Sequence, residues 1–397
     1  MAQPIDLSTI INVSFALRNR STNPVHHNRK EAIPDAEVSA DIQPQLHQDI
    51  KQLAALIVAN PHTILTTTYT EDERKKDWQA LVKKQVLDKT GTIQPIDARS
   101  KPGHKLLDHH MPHFYDVKNY KGVSVKSLMT QSGMEKALYQ NLKMHSTPYA
   151  SELRRMLTMT GGLAQVTKYG AATSKAIVQY FKAKRVLDPC TGWGGRMLGT
   201  LAAAEDTFYV GCEPDPNTAK GLMDILNDPA IPPDTAARVD IYENPAEDAL
   251  PTLKTLPPFD MVLTSPPYFN LEMYTAGDQS TTRWTTWDDW VTHWLKPTIL
   301  GTLACLAPGP DSTSCWSVKN FKTNKAYPLA DVTKQIHKEA GWVLIKTITM
   351  TGSARPGGNR FVDKTEEYTD DTGTKQTRTM KQESRQSEEE TFCFKKA

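Results

Sequence analysis

One strand–turn–helix junction limits this chain's fold more than any other feature. Arg185-Val186-Leu187 runs into Asp188-Pro189-Cys190-Thr191-Gly192-Trp193-Gly194-Gly195 and then into a small-residue helix. A strand that passes through a glycine turn into a helix is the opening of a βαβ unit, a device for bringing backbone close to a ligand. Gly192 and Gly194 are expected where positive φ is required, or where a side chain would block that ligand. A second apolar run, 207–212, ends at Glu213-Pro214-Asp215, and 213 − 192 places Glu213 21 residues beyond the first motif glycine. One βαβ unit has that length, so its second strand delivers the carboxylate beside whatever the first turn holds. A third run, 238–242, leads to Asn244-Pro245-Ala246-Glu247-Asp248. Strands alternating with helices imply a mostly parallel sheet covered on both faces, with ligands at the strands' C-terminal ends.

A fourth run, Phe259-Asp260-Met261-Val262-Leu263, closes on Thr264-Ser265-Pro266-Pro267-Tyr268. Two prolines fix φ and have no N–H to donate, so their carbonyls occupy a stiff, definite position. The flanking hydroxyl and aromatic ring complete a pocket suited to a planar amine. Beyond it, Trp284, Trp287, Trp290 and Trp294 recur at near-helical spacing, with Asp288 and Asp289 in the first turn. A stripe of this kind is more often core than a platform for a base. Strand 313–319 and helix 329–340 follow, and runs 341–350 and 390–396 are expected to pair antiparallel. Between them, 351–389 is rich in Gly, Thr and charge without apolar periodicity, which reads as a mobile insertion.

With 397 residues, the chain has room for one catalytic domain and an appendage. The expected division is an irregular segment 1–60, a mainly helical region 61–159 suited to substrate recognition, and a domain 160–397. Helices are expected from 71, where an acidic start and basic end suit the helix dipole, and over 127–144 and 148–159. A net charge of +2 means that nucleic-acid binding must use a local basic surface. Cys190, Cys212, Cys305, Cys315 and Cys393 are dispersed and odd in number, as reduced thiols of a cytoplasmic protein are. No apolar stretch is long enough to span a bilayer, so a soluble protein with no membrane partner is expected. The run His104-Lys-Leu-Leu-Asp108-His109-His110-Met-Pro-His113 lacks the partners of a zinc site, and solvated or packed histidines are the better reading.

The Asp-Pro-x-x-Gly-x-Gly turn followed by Thr-Ser-Pro-Pro-Tyr resembles the motifs of S-adenosylmethionine-dependent DNA amino-methyltransferases. Their order over 160–397 is similar to the gamma arrangement of that family, although no large recognition domain follows the catalytic motif. The resemblance implies a Rossmann-like class I methyltransferase fold, with a mostly parallel seven-stranded sheet, an antiparallel last strand and a helical N-terminal extension. It implies S-adenosylmethionine as cofactor, held by Asp188, Pro189, Cys190, Gly192 and Gly194 at the turn. Glu213 with Pro214 would lie at the ribose, and Glu247 or Asp248 at the adenine amine. Thr173 or Ser174 would meet the methionine carboxylate, although helix capping is the better reading of these residue types. Ser265 and the Pro266 carbonyl would accept hydrogen bonds from an exocyclic amine beside Pro267, and Tyr268 would stack on the base. Serine at the first motif position resembles the N4-cytosine subset more than the N6-adenine one. The implied partner is nucleic acid, DNA before RNA, in a bacterial or phage-infected cell, with RNA or another planar amine and a non-catalytic binding protein as alternatives.

Overall fold

The computed structural model describes residues 43–94, 101–144, 148–163, 166–274, 277–351, 361–369, 375–383 and 388–397. The apolar pieces within 1–42 lie outside the described residues.

In chain order, the N-terminal part contributes helices α1 (Gln43–Ala59), α2 (Glu71–Lys83), α3 (His104–His110), α4 (Gln131–Lys143) and α5 (Ala150–Thr160). Helix α2 starts in a capping box, in which Thr70 Oγ1 accepts from the Glu73 N–H and the Glu73 carboxylate accepts from the Thr70 N–H. Helix α1 occupies part of the segment expected to be irregular. Its buried Leu46, Ile50, Leu53, Ala54 and Ile57 recur at helical spacing. They pack against Met134 and Leu138 of α4 and Leu153, Met156 and Leu157 of α5, in a core of their own. Helices α2 and α3 instead bury Trp78, Leu81, Leu106 and Leu107 in the core that covers one face of the sheet. The helical region therefore divides between two cores. Lys175 ties it to the sheet, because its Nζ donates to the carbonyls of Leu81 (3.0 Å), Val82 (2.6 Å) and Lys84 (2.8 Å) at the end of α2.

The remainder is built on strands β1 (Arg185–Asp188), β2 (Phe208–Cys212), β3 (Val239–Tyr242), β4 (Met261–Thr264), β5 (Thr313–Ser317), β6 (Trp342–Thr351) and β7 (Glu388–Lys396). They form one seven-stranded sheet in the order β6-β7-β5-β4-β1-β2-β3. Every pair from β5 to β3 is parallel, and β7 runs antiparallel to both β5 and β6. Helices α6 (Ala171–Phe181), α7 (Gly195–Leu201) and α8 (Pro216–Leu226) cover one face. Helices α9 (Ala246–Leu253), α10 (Lys296–Leu303) and α11 (Leu329–Glu339) lie on the other. The strands alternate accordingly: Val186, Tyr209, Met261 and Leu263 face the first layer, and Leu187, Val210 and Val262 the second. This is the expected Rossmann-like fold, a mostly parallel seven-stranded sheet with its antiparallel β7. Strand order reverses between β1 and β4, which makes the C-terminal ends of those two strands a ligand crevice.

The tryptophan stripe is core. Trp290 and Trp294 are buried with their rings stacked at 4.8 Å, and Thr286 caps the short helix Trp287–Trp290 by accepting from the Asp289 N–H. Within 351–389, Phe361–Thr369 and Lys375–Glu383 pair as an antiparallel hairpin, and the rest of that segment between β6 and β7 lies outside the described residues.

Candidate functional site

A cleft of about 2160 Å3 opens at the C-terminal ends of the parallel strands. A single small-molecule site occupies roughly 300–1,000 Å3, so this cleft has space for two ligands side by side. The Pro189–Trp193 turn after β1, Glu213 after β2, Glu247 after β3 and Ser265–Tyr268 after β4 all line it.

Gly192 has φ +56°, and an added Cβ would meet nothing closer than the Cys190 carbonyl at 3.9 Å. Bare backbone therefore faces open space at this point. Its N–H donates to Glu213 Oε2 (2.9 Å), and the Asp215 N–H donates to Oε1 (3.0 Å), so the two positions 21 residues apart are in direct contact. Only 7% of Glu213 is exposed, and burial pushes its carboxyl up to about 7 against the pull of those two donors.

Gly194 behaves differently from the expectation that it keeps the cleft open. Its φ is +84°, but an added Cβ would lie 2.8 Å from Leu222 Cδ2 and 3.5 Å from Leu107 Cδ2. It points into the packing between α3 and α8, because it is the residue from which α7 departs.

Asp188 is also set beneath the cleft rather than in it. Fully buried, it accepts from Arg196 Nε (2.7 Å), the Tyr209 hydroxyl (2.7 Å), the Thr264 hydroxyl (2.7 Å) and the Cys190 N–H (3.1 Å). One carboxylate thus joins the glycine turn, α7, β2 and the residue preceding Ser265. Sequence reasoning missed Arg196 and Tyr209. An arginine in the first turn after a glycine loop and a tyrosine in an otherwise apolar strand are the signals that could have found them. Arg196 also donates to the Cys190 carbonyl. Burial, reinforced by Asp188, raises the Cys190 thiol well above its ordinary range.

The two acids after β3 are engaged. Glu247 accepts from Trp294 Nε1 (2.9 Å) and pairs with Arg283 (3.2 Å), and Asp248 pairs with Arg283 (3.0 Å). Glu247 lines the cleft; the Asp248 side chain is 51% exposed and lies outside it. Thr173 lines the cleft in the first turn of α6, which begins at Gly170 without any side-chain cap. Capping therefore does not account for Thr173 or Ser174, and Ser174 Oγ donates instead to the Arg196 carbonyl (3.0 Å).

Ser265 is half-buried and Tyr268 is 7% exposed, its ring packed edge-on against Phe321 (5.6 Å). The next residue, Phe269, has φ +41°, a strained conformation for a bulky side chain. It is held there by Trp287, Trp290 and Tyr327, with ring centroids 5.7, 5.6 and 5.4 Å away. The aromatic packing thus fixes the backbone immediately after Ser-Pro-Pro-Tyr. What the cleft offers is hydrogen-bond acceptors and aromatic walls, in a strained, rigid loop.

Of the histidine run, His104 lines the cleft, whereas the other three histidines are directed elsewhere. His109 Nδ1 accepts from the Tyr69 N–H (3.1 Å), His110 Nε2 meets Asp228 (2.7 Å), and His113 Nε2 meets Thr218 (2.9 Å). Among the described residues, no three His, Cys, Asp or Glu side chains converge on a metal-binding position, and no helix is long and apolar enough to cross a membrane.

No family model and no curated protein matches this chain. Among solved structures it is similar to TrmN from Thermus thermophilus, at 14% identity and a TM-score of 0.34 over 58% of this chain and 49% of that one. The match thus spans about half the length of TrmN. It is also similar to the O-methyltransferase TomG from Streptomyces achromogenes, solved in complex with SAM (13%, 0.33, 60% and 86%). A third is a SAM-dependent O-methyltransferase from Thermotoga maritima (11%, 0.35, 64% and 73%).

Proposed function

We propose that this chain is a methyltransferase that moves a methyl group from S-adenosylmethionine to an exocyclic amine of a nucleobase in DNA, N4 of cytosine before N6 of adenine. The observation that carries this reading is the hydrogen bond from Thr264 to Asp188, which joins the residue before Ser265 to the glycine turn across the strand-order reversal. Two motifs 76 residues apart thereby face one cleft.

The residues present fit the cofactor. Gly192 offers bare backbone to open space, and Glu213 is a buried carboxylate whose two oxygens retain lone pairs for a ribose diol. Glu247 and Thr173 both line the cleft, and we assign Glu247 to the adenine end and Thr173 to the opposite one. Asp188 and Gly194 support the turn from behind without touching the ligand. When bound, S-adenosylmethionine supplies a methyl group already activated on a sulfonium.

What the chain adds is alignment. Ser265 Oγ and the Pro266 carbonyl accept the two N–H bonds of the amine, which turns the nitrogen lone pair toward the methyl. Pro266 and Pro267 hold that carbonyl still, and the strained, packed Phe269 prevents the loop from drifting. Tyr268 bounds the slot for the base. A base within a duplex is inaccessible to such a slot, so the target nucleotide is flipped out of its stack.

Methylated-base analysis of DNA from cells expressing the chain, next to cells expressing Ser265→Ala, tests the reading. N4-methylcytosine that depends on Ser265 is the expected result. Methylation found only in RNA would reassign the substrate, and no methylated base with no cofactor binding by calorimetry would overturn the enzyme.

A further inference from the structure

We propose that the small hairpin beside the catalytic motif, Phe321–Lys322 paired with Ala326–Tyr327, grips the phosphodiester backbone on either side of the target nucleotide through Lys319, Lys322 and Lys325. This inference rests on the nucleobase reading above and deepens it by naming what the enzyme holds besides the base.

Position is the first argument. The Phe321 and Tyr327 rings stack at 5.0 Å, Tyr268 packs on Phe321 at 5.6 Å, and Phe269 packs on Tyr327 at 5.4 Å. Asn270 Nδ2 donates to the Tyr327 hydroxyl at 3.3 Å. The hairpin is therefore fixed to the residues that would hold the base, and it carries Lys322 and Lys325, the latter with Nζ 5.4 Å from the Tyr327 ring centre, while Lys319 lies just before it. Lys319 and Lys322 line the cleft, and Lys319 Nζ stands 5.9 Å from the Tyr268 ring centre.

Charge is the second. Several other cations along the cleft are matched: Arg196 with Asp188, Lys168 with Asp108, Arg155 with Glu152, and Arg283 with three carboxylates. Among the described residues, no carboxylate pairs with Lys319, Lys322 or Lys325, although they crowd one short hairpin. A neutral planar amine has no use for that field, whereas a polyanion threaded past the slot neutralises it.

The test is binding of a fluorescent single-stranded deoxyoligonucleotide containing cytosine, followed by anisotropy across a salt series. For wild type against Lys319→Gln/Lys322→Gln/Lys325→Gln, the slope of log K on log salt should become shallower by about 2, at roughly 0.7 for each phosphate no longer neutralised. Exposed Lys322→Gln alone should reduce it by about 0.7, which covers the case in which the triple variant fails to fold. An unchanged slope in a folded variant overturns the proposal. Deoxycytidine monophosphate competing as well as the strand, nucleotide for nucleotide, also overturns it in favour of a mononucleotide site. Calorimetry with S-adenosylmethionine separates the two readings. Cofactor binding with a lysine-independent salt slope sinks the hairpin alone, and a lysine-dependent slope without cofactor binding sinks the methyltransferase alone.

Discussion

Replacing Asp188 by alanine should damage the fold before it damages the chemistry. The carboxylate is fully buried, and it is the acceptor for four donors drawn from the glycine turn, α7, β2 and β4. Arg196, with a side chain only 5% exposed, would be left charged with no carboxylate beside it. Breaking one side of a buried ion pair costs about 3–5 kcal/mol. At roughly 2–4 °C per kcal/mol for a domain of ordinary size, ligand-free protein should melt roughly 6–20 °C below wild type in differential scanning calorimetry. Asp188→Leu/Arg196→Met should lose less than Asp188→Ala, because removing both charges leaves no orphan. Cofactor affinity measured below both transitions should fall modestly, since the Cys190–Gly192 turn loses one anchor and no ligand contact. An alanine variant that melts with wild type but has lost cofactor binding would refute this reasoning and make Asp188 a ligand-contacting residue.

Ser265→Ala should slow methyl transfer by roughly tenfold to a hundredfold, the equivalent of about 1–3 kcal/mol for one missing acceptor, with melting and cofactor affinity near wild type. Tyr268→Ala should slow transfer at least as much, and wild-type rates from it would remove Tyr268 from the site. Glu213 holds its proton up to about 7, against an ordinary value of 4.5, so the folded chain binds that proton more tightly than the unfolded chain. The associated stability, about 3 kcal/mol, is complete below pH 4.5 and is lost as pH rises through 7. Urea titrations at pH 5 and 8 should show this decline in wild type and a flatter profile in Glu213→Gln. Gly194→Ala should destabilise by about 1–2 kcal/mol through its positive φ while leaving cofactor affinity intact; a selective loss of affinity, measured by calorimetry, would return Gly194 to the cleft. His337 is fully buried, with Nδ1–H donating to the Thr333 carbonyl at 2.8 Å, and burial lowers it to about 4. Its contribution is present above its ordinary 6.5 and lost as pH falls toward 4, so His337→Gln should blunt acid unfolding in that window.

The sheet was legible in the sequence because each strand is short, apolar and closed by a chemically distinctive residue. Asp188, Glu213 and Thr264 stand at strand ends both in the sequence and in the fold. Helix α1 was missed: Leu46, Ile50, Leu53 and Ile57 keep helical spacing, but the polar residues before it hid the pattern. What the sequence could not reveal was direction. Gly192 and Gly194 look equivalent in the sequence, yet one opens to the cleft and the other points into helix packing, because the chain turns between them. Asp188 and Glu213 are both acids at strand ends, but Asp188 is enclosed by partners from three other elements. Arg283 gave no signal because Glu247 and Asp248 lie 36 and 35 residues upstream and reach it only in space, and Asp278, five residues away, is its one partner near in the chain.

The placement of β7 has a bearing on how this protein is made. That strand, residues 388–396, lies between β5 and β6, and Thr391 closes a chain of hydroxyls with Ser317 (2.7 Å) and Tyr169 (3.0 Å). A ribosome that has passed Tyr268 has already delivered the glycine turn and the Ser-Pro-Pro-Tyr loop. Yet β6 has no neighbour to pair with, and β5 presents a bare edge until 388–396 emerge. The nascent chain must therefore carry a half-built sheet through the synthesis of more than a hundred further residues, counting from Tyr268 to Glu388. Premature termination in that interval yields a polypeptide with both motifs in place and an adhesive edge, a substrate for chaperones and proteases rather than a folded protein.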